Sequence, residues 1–364
     1  MTNEAATKPV ANDVRRPRGD VPPIWTGDLL DGQLIVGFAL RTDPGPIDQV
    51  LVEGDEKLPE PAHRPLPCPG DLPERLSRSG PPPDGAPAAG LSLGMTLGVS
   101  AGLDRQLHAM GEAGDYTRRV LDQIDAEGHR AWLVGGAVRD LIAPGPAARP
   151  ADLDFTGTIG PGELYDATRR WRRAAGMADY RSFISPRLVF AVAPPGGNRP
   201  DAFIEYKPLS QPGFRFPAWG GTLAGDAATR DLTINALYYD RANRVVADPT
   251  GRGVRDLLAP RRTAATPYRG DDPAEQACVI LRCLKFRLRW PDLDVAGVAA
   301  WAAGLPADLI SRVPEDRFRF LDGLRCRCVP QRHRGVDERA AAREIGPAAL
   351  RLVDELLARE RAGA

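Results

Sequence analysis

Apolar residues are spaced differently in the first third of the chain and in the rest of it. In the first third, the run Leu34–Leu40 is apolar enough to predict a single strand. From Tyr116 to Gly128, apolar residues recur at helical spacing, and the glycine stands where a helix would end. The pattern therefore predicts an ordered part of the chain that begins with a helix at 116–128.

Downstream of this helix, short apolar runs alternate with one amphipathic stretch. Strands are predicted near residues 131–134, 152–156, 187–193 and 202–206. A helix near 162–176 separates the second strand from the third, an order that suits a small mixed sheet with helices. From Thr229 onward the pattern is helical, with helices predicted near residues 272–290, 294–303, 314–326 and 347–361.

These elements predict an α+β fold in three regions. Residues 113–260 would form a head domain around the small mixed sheet, and residues 261–364 a helical neck and a short C-terminal domain. Residues 1–112 are expected to be largely disordered or loosely ordered, because they are rich in proline. Residues 1–90 hold 16 of the chain's 36 prolines. Such a composition buries too little apolar surface to offset the entropy of the chain.

Candidate chemistry appears in the turn after the first predicted strand of the head. Gly135 and Gly136 precede the start of a helix, and Arg139 follows one turn later. Glycines leave backbone N–H groups open to an anion, and the arginine can add a charge-assisted contact to a phosphate. Taken alone, however, two glycines before a helix are usually only a turn.

Two aspartates follow in the next predicted strand. Asp152 and Asp154 are two positions apart, so both carboxylates would point to the same side of that strand. Paired carboxylates are suited to hold divalent cations that share a nucleotide triphosphate. By itself an Asp-x-Asp more often marks a solvated strand edge or a helix cap. The order of glycine turn and then acid pair makes the catalytic interpretation more specific.

A third segment, Thr229–Leu237, completes a set of motifs that resembles a known family. The chain resembles the class II CCA tRNA nucleotidyltransferases and bacterial poly(A) polymerases, within the polymerase-β-like nucleotidyltransferase superfamily. The family patterns GGxVRD, DxD and RRDxTINA match Gly135–Asp140, Asp152–Asp154 and, with one arginine missing, Arg230–Ala236. The resemblance spans about residues 115–290. It implies a polymerase-β-like head that is followed by an all-α neck and C-terminal region.

The resemblance implies metal and phosphate ligands at the matching positions. Asp152 and Asp154 would hold the catalytic Mg²⁺ ions. Gly135, Gly136 and Arg139 would contact the phosphates of the nucleotide. Two metal ions held in this way can activate a 3′-hydroxyl and neutralise the departing pyrophosphate.

Other roles follow from the resemblance for residues of the second motif and of a neighbouring strand. Arg230 and Asp231 would lie at the ribose of the nucleotide, whereas Asn235 would support the site without touching substrate. A third carboxylate often completes such a site. Glu205, a single acid in an apolar run, is the candidate, and a salt-bridged glutamate at a strand edge is an equal alternative.

Two further family elements match less well. The aspartate-proline turn that leads to an Asp-Leu pair corresponds to Asp248–Leu257. In the Glu-Asp-Pro element before a Leu-Arg helix, Asp272 and Arg282 are the expected nucleotide contacts. The family's base-reading arginine falls on Glu275, or on Val279 when counted back from Arg282. Neither residue offers the donors of an arginine, so the resemblance does not predict which base is selected.

Charge is distributed unevenly, although the formal net charge is zero. Residues 252–364 carry 21 basic and 16 acidic side chains, and Arg325–Arg334 contains four of the arginines. Beside such a head, a basic patch predicts contact with an RNA backbone. The alternative is an arginine-rich composition without a binding role. The cysteines show neither metal-ligand spacing nor a disulfide framework.

Together these features predict a template-independent nucleotidyltransferase that adds nucleotides from ATP or CTP to an RNA 3′ end. CCA addition to tRNA, or a related 3′ extension, is the expected reaction, and no DNA partner is expected. No signal pattern begins the chain and no apolar run reaches 18 residues, so a cytoplasmic protein without membrane contact is expected. The alternatives are nucleotidyl transfer to a small-molecule hydroxyl and a non-catalytic RNA- or nucleotide-binding relative.

Overall fold

The computed structural model describes most of the chain beyond residue 90. The described residues are 51–52, 91–143, 153–177, 179–184, 189–197, 201–210, 222–306 and 308–363. The predicted strand Leu34–Leu40 lies outside them, as does Asp152.

One mixed sheet forms the centre of the head. Its strands are β1 (Leu51–Val52), β2 (Ala131–Val134), β3 (Asp154–Gly157), β4 (Arg181–Ile184), β5 (Phe190–Ala193), β6 (Ile204–Pro208), β7 (Tyr238–Asp240) and β8 (Val245–Ala247). They are ordered β1-β4-β5-β6-β3-β2-β7-β8. Strands β3 and β6 pair in parallel, and the other neighbours pair antiparallel. The prediction of a small mixed sheet is confirmed.

The sequence pattern missed the β7–β8 hairpin. Helix was predicted from Thr229 onward, and this is wrong for residues 238–247. Each strand of the hairpin has three residues, which is too short for an alternating pattern to be recognised. The turn between them includes Arg244, which adopts a positive φ of 52°.

Six helices accompany the sheet in the part of the head that the structure describes. They are α1 (Leu93–Ala109), α2 (Glu112–Ala126), α3 (Gly136–Ile142), α4 (Pro161–Ala174), α5 (Leu223–Ala227) and α6 (Gly253–Leu258). Helix α1 lies in the region that was expected to be loosely ordered, and that expectation is wrong for these residues. The helix contains three glycines, which disfavour helix by about 1 kcal/mol each. Packing against α2 and α3 compensates, because Val99, Leu103 and Leu107 are buried there.

The sheet has two different faces. Residues that pair directly across strands point to the same side. Leu133, Phe155 and Tyr206 therefore share one side, which belongs to the main hydrophobic core. Trp132 and Tyr238 share the other side with a smaller apolar cluster that includes residues of α5. We call this second side the site face.

The chain after the head is helical, as predicted. Its helices are α7 (Pro273–Arg289), α8 (Ala296–Ala303), α9 (Leu309–Arg312), α10 (Glu315–Cys328), α11 (Val336–Ile345) and α12 (Pro347–Gly363). Helix α7 is the central one, since it packs against α8, α9, α10, α11 and α12. It begins where the carboxylate of Asp272 accepts hydrogen bonds from the N–H groups of Ala274 and Glu275, at 2.8 and 3.2 Å. Among the described residues, none of the helices is long and apolar enough to cross a membrane.

Candidate active site

The glycine turn and two carboxylates lie at the same end of the sheet. Gly135 follows Val134, the last residue of β2, and so stands two positions beyond Leu133, whose register partner on β3 is Phe155. Asp154 begins β3 and therefore lies beside this turn. Glu205 is the register partner of Asp154 on the parallel strand β6. The phosphate turn and two of the three acids predicted from the sequence, Asp154 and Glu205, are thus brought together at one end of the sheet.

Asp154 and Glu205 both point toward the site face, because they are paired with each other and alternate with buried residues of the core. Asp154 is exposed, and Glu205 is half-buried. Two carboxylates on adjacent strands offer oxygen ligands that suit a hard divalent cation. Within the described residues, no group of three acidic, histidine or cysteine side chains forms a metal site. Asp152, the other predicted ligand, lies outside those residues.

The turn before α3 depends on glycine. Gly135 has a φ of 72°, a conformation that residues with a side chain rarely adopt. Its N–H donates to the carbonyl of Leu237, which ties the turn to the start of β7. Gly136 then begins α3. This helix therefore begins at the end of the sheet where Asp154 begins β3.

Arg139 makes internal contacts. The side chain is 5% exposed, and its Nε and Nη2 atoms donate to the two oxygens of Asp140 at 3.0 and 3.1 Å. Its Nη1 donates to Oδ1 of Asn235 at 2.5 Å, and the guanidinium stacks 4.6 Å from the ring centre of Phe286. Burial lowers the pKa of Arg139, and Asp140 opposes that shift. Its role as a phosphate ligand stays a prediction.

The second motif and helix α7 meet through Asp231. One carboxylate oxygen of Asp231 accepts from Nδ2 of Asn235 at 3.0 Å. The other oxygen lies 3.7 Å from Nε of Arg282. Burial lowers the pKa of Arg282, but Asp231 and smaller contributions, Asp154 among them, together raise it above its ordinary value. Two of the predicted nucleotide contacts, Asp231 and Arg282, therefore touch each other within reach of the charge of Asp154.

Arg230 is held by a buried carboxylate that the sequence reasoning missed. Nε and Nη2 of Arg230 donate to Asp226 at 2.9 and 2.7 Å. Asp226 also accepts from the hydroxyl of Tyr238 and from the N–H of Ser210, both at 2.6 Å. Burial alone would raise the pKa of Asp226, but Arg230 and these donors lower it. The spacing of four residues between Asp226 and Arg230 was the available sequence signal.

Helix α7 presents a basic edge to the site. Arg282, Lys285 and Arg289 are spaced three and four residues apart, so they lie on one side of the helix. Within the described part of the chain, Lys285 makes no hydrogen bond or ion pair. Burial lowers the pKa of Lys285, and the neighbouring charges of Arg282, Arg139 and Arg289 lower it further. This edge is therefore an electropositive surface suited to an anion.

Asp272 serves as the N-cap of α7, which uses one of its oxygens. Glu275, one turn later, lies 4.0 Å from Nη2 of Arg317 on α10. Val279 is buried. The two positions where the family's base-reading arginine would fall thus hold an ion-paired acid and a core residue.

The predicted basic patch at Arg325–Arg334 is open only in part, since Arg327 and Arg332 are exposed. Arg325 is fully buried, and its Nε and Nη2 donate to both oxygens of Glu338, at 2.6 and 3.0 Å. Arg325 and Arg334 also pair with Glu360, at 2.9 and 3.4 Å. Two of the four arginines are therefore used inside the helical region, because α11 and α12 bring acids to them. This pairing joins residues that are 13 to 35 positions apart, so local sequence patterns do not predict it.

Comparisons with known proteins agree with the motifs. A family model described as the poly(A) polymerase head domain matches residues 198–261. Poly(A) polymerase I of Haemophilus influenzae is 30% identical over 151 residues, which cover 40% of this chain and 32% of that protein. The CC-adding tRNA nucleotidyltransferase of Geobacter sulfurreducens is 31% identical over 205 residues, covering 54% of this chain and 41% of that protein. The matched part thus spans less than half of each relative.

A solved structure is also similar. The CCA-adding enzyme of Bacillus stearothermophilus in complex with CTP has a TM-score of 0.44 and 17% sequence identity. The match covers 66% of this chain and 53% of that one.

Proposed function

We propose that this chain, which belongs to the family of class II CCA tRNA nucleotidyltransferases and bacterial poly(A) polymerases, is a template-independent nucleotidyltransferase that extends an RNA 3′ end. The observation that supports this most directly is the edge of the sheet where the glycine turn, Asp154 and Glu205 lie together. Phosphate-binding backbone and metal-binding acids are the two requirements of nucleotidyl transfer.

The carboxylates of Asp154 and Glu205, with Asp152 as a third ligand, would hold a divalent cation such as Mg²⁺. Carboxylate oxygens on adjacent strands fit a hard cation of this kind. A cation held by these carboxylates would favour deprotonation of a 3′-hydroxyl and would offset the charge of the departing pyrophosphate. In the reaction, a bond forms between the 3′-oxygen and the α-phosphorus. The bond from that phosphorus to pyrophosphate breaks, pyrophosphate departs, and the hydroxyl proton passes to solvent water.

The phosphates of the incoming nucleotide would lie between the glycine turn and the basic edge of α7. Gly135 and Gly136 expose backbone N–H groups on one side. Arg282 and Lys285 offer positive charge on the other side, where Lys285 has no competing ion pair in the described residues. Arg230 and Asp231 would contact the ribose.

The acceptor is proposed to be tRNA. The CC-adding relative is named as a tRNA nucleotidyltransferase, and the other relative as a poly(A) polymerase. The base-reading arginine of the resemblance is absent here, so we propose ATP and CTP as candidate substrates without a preference between them.

The experiment is an incorporation assay. The protein is incubated with Mg²⁺, one labelled nucleoside triphosphate at a time, and tRNA that lacks its terminal nucleotides. We expect label in the tRNA, and loss of that label when Asp154 is replaced by asparagine. The exposed Asp292, in the turn after α7, is the control position, because Asp292→Asn removes one negative charge away from the site.

Other outcomes separate the alternatives. Pyrophosphate release that requires small metabolites instead of tRNA would replace the proposal with transfer to a small-molecule hydroxyl. Nucleotide or tRNA binding without any pyrophosphate release would indicate a non-catalytic relative. Equal activity of the Asp154→Asn variant and the unaltered protein would remove the proposed catalytic site.

A further inference from the structure

Six polar side chains form a continuous series of contacts that starts and ends on helix α7. From Arg282 it passes to the head, through Asp231, Asn235 and Arg139, and then returns through Asp140 to Arg289. The successive contacts are 3.7, 3.0, 2.5, 3.0 and 3.5 Å long. We call this set of six residues the relay. Positive and negative side chains alternate along it, except at Asn235, which is its one neutral member.

Both polar atoms of the Asn235 side-chain amide form hydrogen bonds. Its Oδ1 accepts from Arg139, and its Nδ2 donates to Asp231. A cation and an anion are thus joined through a side chain that presents an acceptor to one and a donor to the other. Asn235 is 8% exposed, so water is poorly placed to replace either bond. Aspartate would repel Asp231, and alanine would leave both partners short of one bond.

The backbone that bears Asn235 is fixed independently of the relay. Asn235 ends a 3₁₀ turn, Thr233–Asn235, whose first residue donates from its hydroxyl to the buried Asp256 at 2.6 Å. Helix α6 approaches this turn closely, since a side chain at Gly253 would come within 2.5 Å of the Thr233 carbonyl. The amide of Asn235 therefore projects from a rigid support.

We propose that Asn235 is a positioning residue that sets the nucleotide-binding guanidinium of Arg282. It does so by holding the carboxylate of Asp231 in the orientation that meets Arg282, while it also holds Arg139 against Asp140 and Phe286. The inference rests on the proposed function, because it assigns a purpose to the α7 edge of that same site. Asn235 itself touches neither the phosphates nor the reacting atoms.

Loss of the amide acts on orientation more than on folding. Arg139 keeps two hydrogen bonds to Asp140 and its stacking on Phe286. Asp231 keeps the hydrogen bond from the N–H of Leu232 at 2.7 Å. In Asn235→Ala, Asp231 loses the donor that fixes the plane of its carboxylate. A carboxylate that is free to rotate no longer holds Arg282 in one orientation.

The test compares Asn235→Ala with a matched control, Asn243→Ala. Asn243 also donates its amide to an aspartate, Asp240, at 2.8 Å, but it lies beyond the end of β7 that is opposite the glycine turn. The dissociation constants of ATP and of CTP are measured by calorimetry with Mg²⁺ and without RNA. We expect Asn235→Ala to weaken binding about tenfold, the effect of one buried bond to a charged group. Asn243→Ala should leave binding unchanged.

A second readout separates positioning from folding. At saturating nucleotide, kcat of Asn235→Ala should fall by less than about threefold while KM rises with the dissociation constant. Asn235→Asp should lower the melting temperature and weaken binding further. Exchanging the two residues, in Asn235→Asp with Asp231→Asn, restores a donor and an acceptor between these positions. The exchange should recover the melting temperature but not the affinity, because Arg282 then faces an amide.

The proposal is wrong if Asn235→Ala lowers the melting temperature but binds both nucleotides like Asn243→Ala. It is also wrong if the exchanged variant recovers affinity in full, since Arg282 would then not depend on the carboxylate. An unaltered protein that binds nucleotide without transferring it would contradict the proposed function, and the binding constants would still decide the role of Asn235. An unaltered protein that binds neither nucleotide contradicts both.

Discussion

Two arginine-rich regions of the molecule satisfy their charges in different ways. In the C-terminal helices, Arg325 is fully buried and makes bidentate contacts with Glu338 at 2.6 and 3.0 Å. At the junction of the head with α7, Arg282 is 42% exposed and lies 3.7 Å from Asp231. Arg289 lies 3.5 Å from Asp140 and is also partly exposed.

The difference distinguishes arginines that hold the fold from arginines that are available to a ligand. A fully buried and ion-paired guanidinium presents no donor to solvent or substrate, and removing its buried partner leaves a charge poorly compensated. A longer and partly exposed contact is worth little in stability. Nε is the atom of Arg282 that faces Asp231, so the other N–H groups of this arginine can donate to an incoming phosphate. The number of arginines in a segment is therefore a poor guide to anion binding. The exposure of each arginine and the acids that it contacts are a better guide.

The largest expected effect concerns the acids at the sheet edge. Replacing Asp154 by asparagine should reduce nucleotide incorporation by about a thousandfold or more, since a metal ligand contributes several kcal/mol to the transition state. Stability should not fall, because Asp154 is exposed. Incorporation into tRNA and urea unfolding are measured on the same preparation. A loss of activity that parallels a loss of structure would contradict this assignment.

The next largest effect is expected on stability, when the buried ion pair between Arg325 and Glu338 in the C-terminal helices is broken. Glu338→Leu leaves the buried Arg325 without its bidentate partner, with the partly exposed Glu360 as its closest remaining acid, and should lower the free energy of unfolding by about 3 kcal/mol. The double variant Arg325→Met with Glu338→Leu should recover most of that loss, because no buried charge is left alone. Urea unfolding measures both. If the single and double variants lose the same free energy of unfolding, the loss comes from packing and not from an uncompensated charge.

The buried carboxylate of Asp226 should make stability depend on acid pH. Its pKa in the folded protein is below the ordinary value of 3.8. Its contribution is therefore complete above that value and is lost as the pH falls through the lower folded pKa. Asp226→Asn should lower the free energy of unfolding by about 1–3 kcal/mol at pH 7 and flatten the acid limb of the profile. An unchanged acid limb in this variant would assign the pH dependence to other groups.

The smallest effect on stability is expected at Arg282, the partly exposed arginine at the junction of the head with α7. Arg282→Ala should change the free energy of unfolding by less than about 1 kcal/mol, because the contact with Asp231 is long and partly exposed. Its effect should appear in nucleotide binding, which we expect to weaken about tenfold. Arg343→Ala, at an exposed arginine on α11, is the control and should alter neither quantity. A large loss of stability in Arg282→Ala would place it with Arg325, as part of the fold.

The sequence alone was sufficient for features that depend on neighbours along the chain. The spacing of apolar residues located α4 and α7 to within about two residues, because amphipathic periodicity is a local property. It also indicated that Glu205 is a single acid in a buried strand, where side chains alternate between the two faces. Helix α1 and the β7–β8 hairpin were missed, since three glycines or three-residue strands leave too little pattern to recognise.

Only the tertiary structure decided which charges meet. The register of β3 with β6 put Glu205 beside Asp154, and the packing of α7 on the head brought Arg282 to Asp231. The packing of α10 against the last two helices removed Arg325 from the surface. Residue type determined which groups could bind an anion or a cation. Distance and burial, which depend on contacts between remote segments, determined which of them are still available to do so.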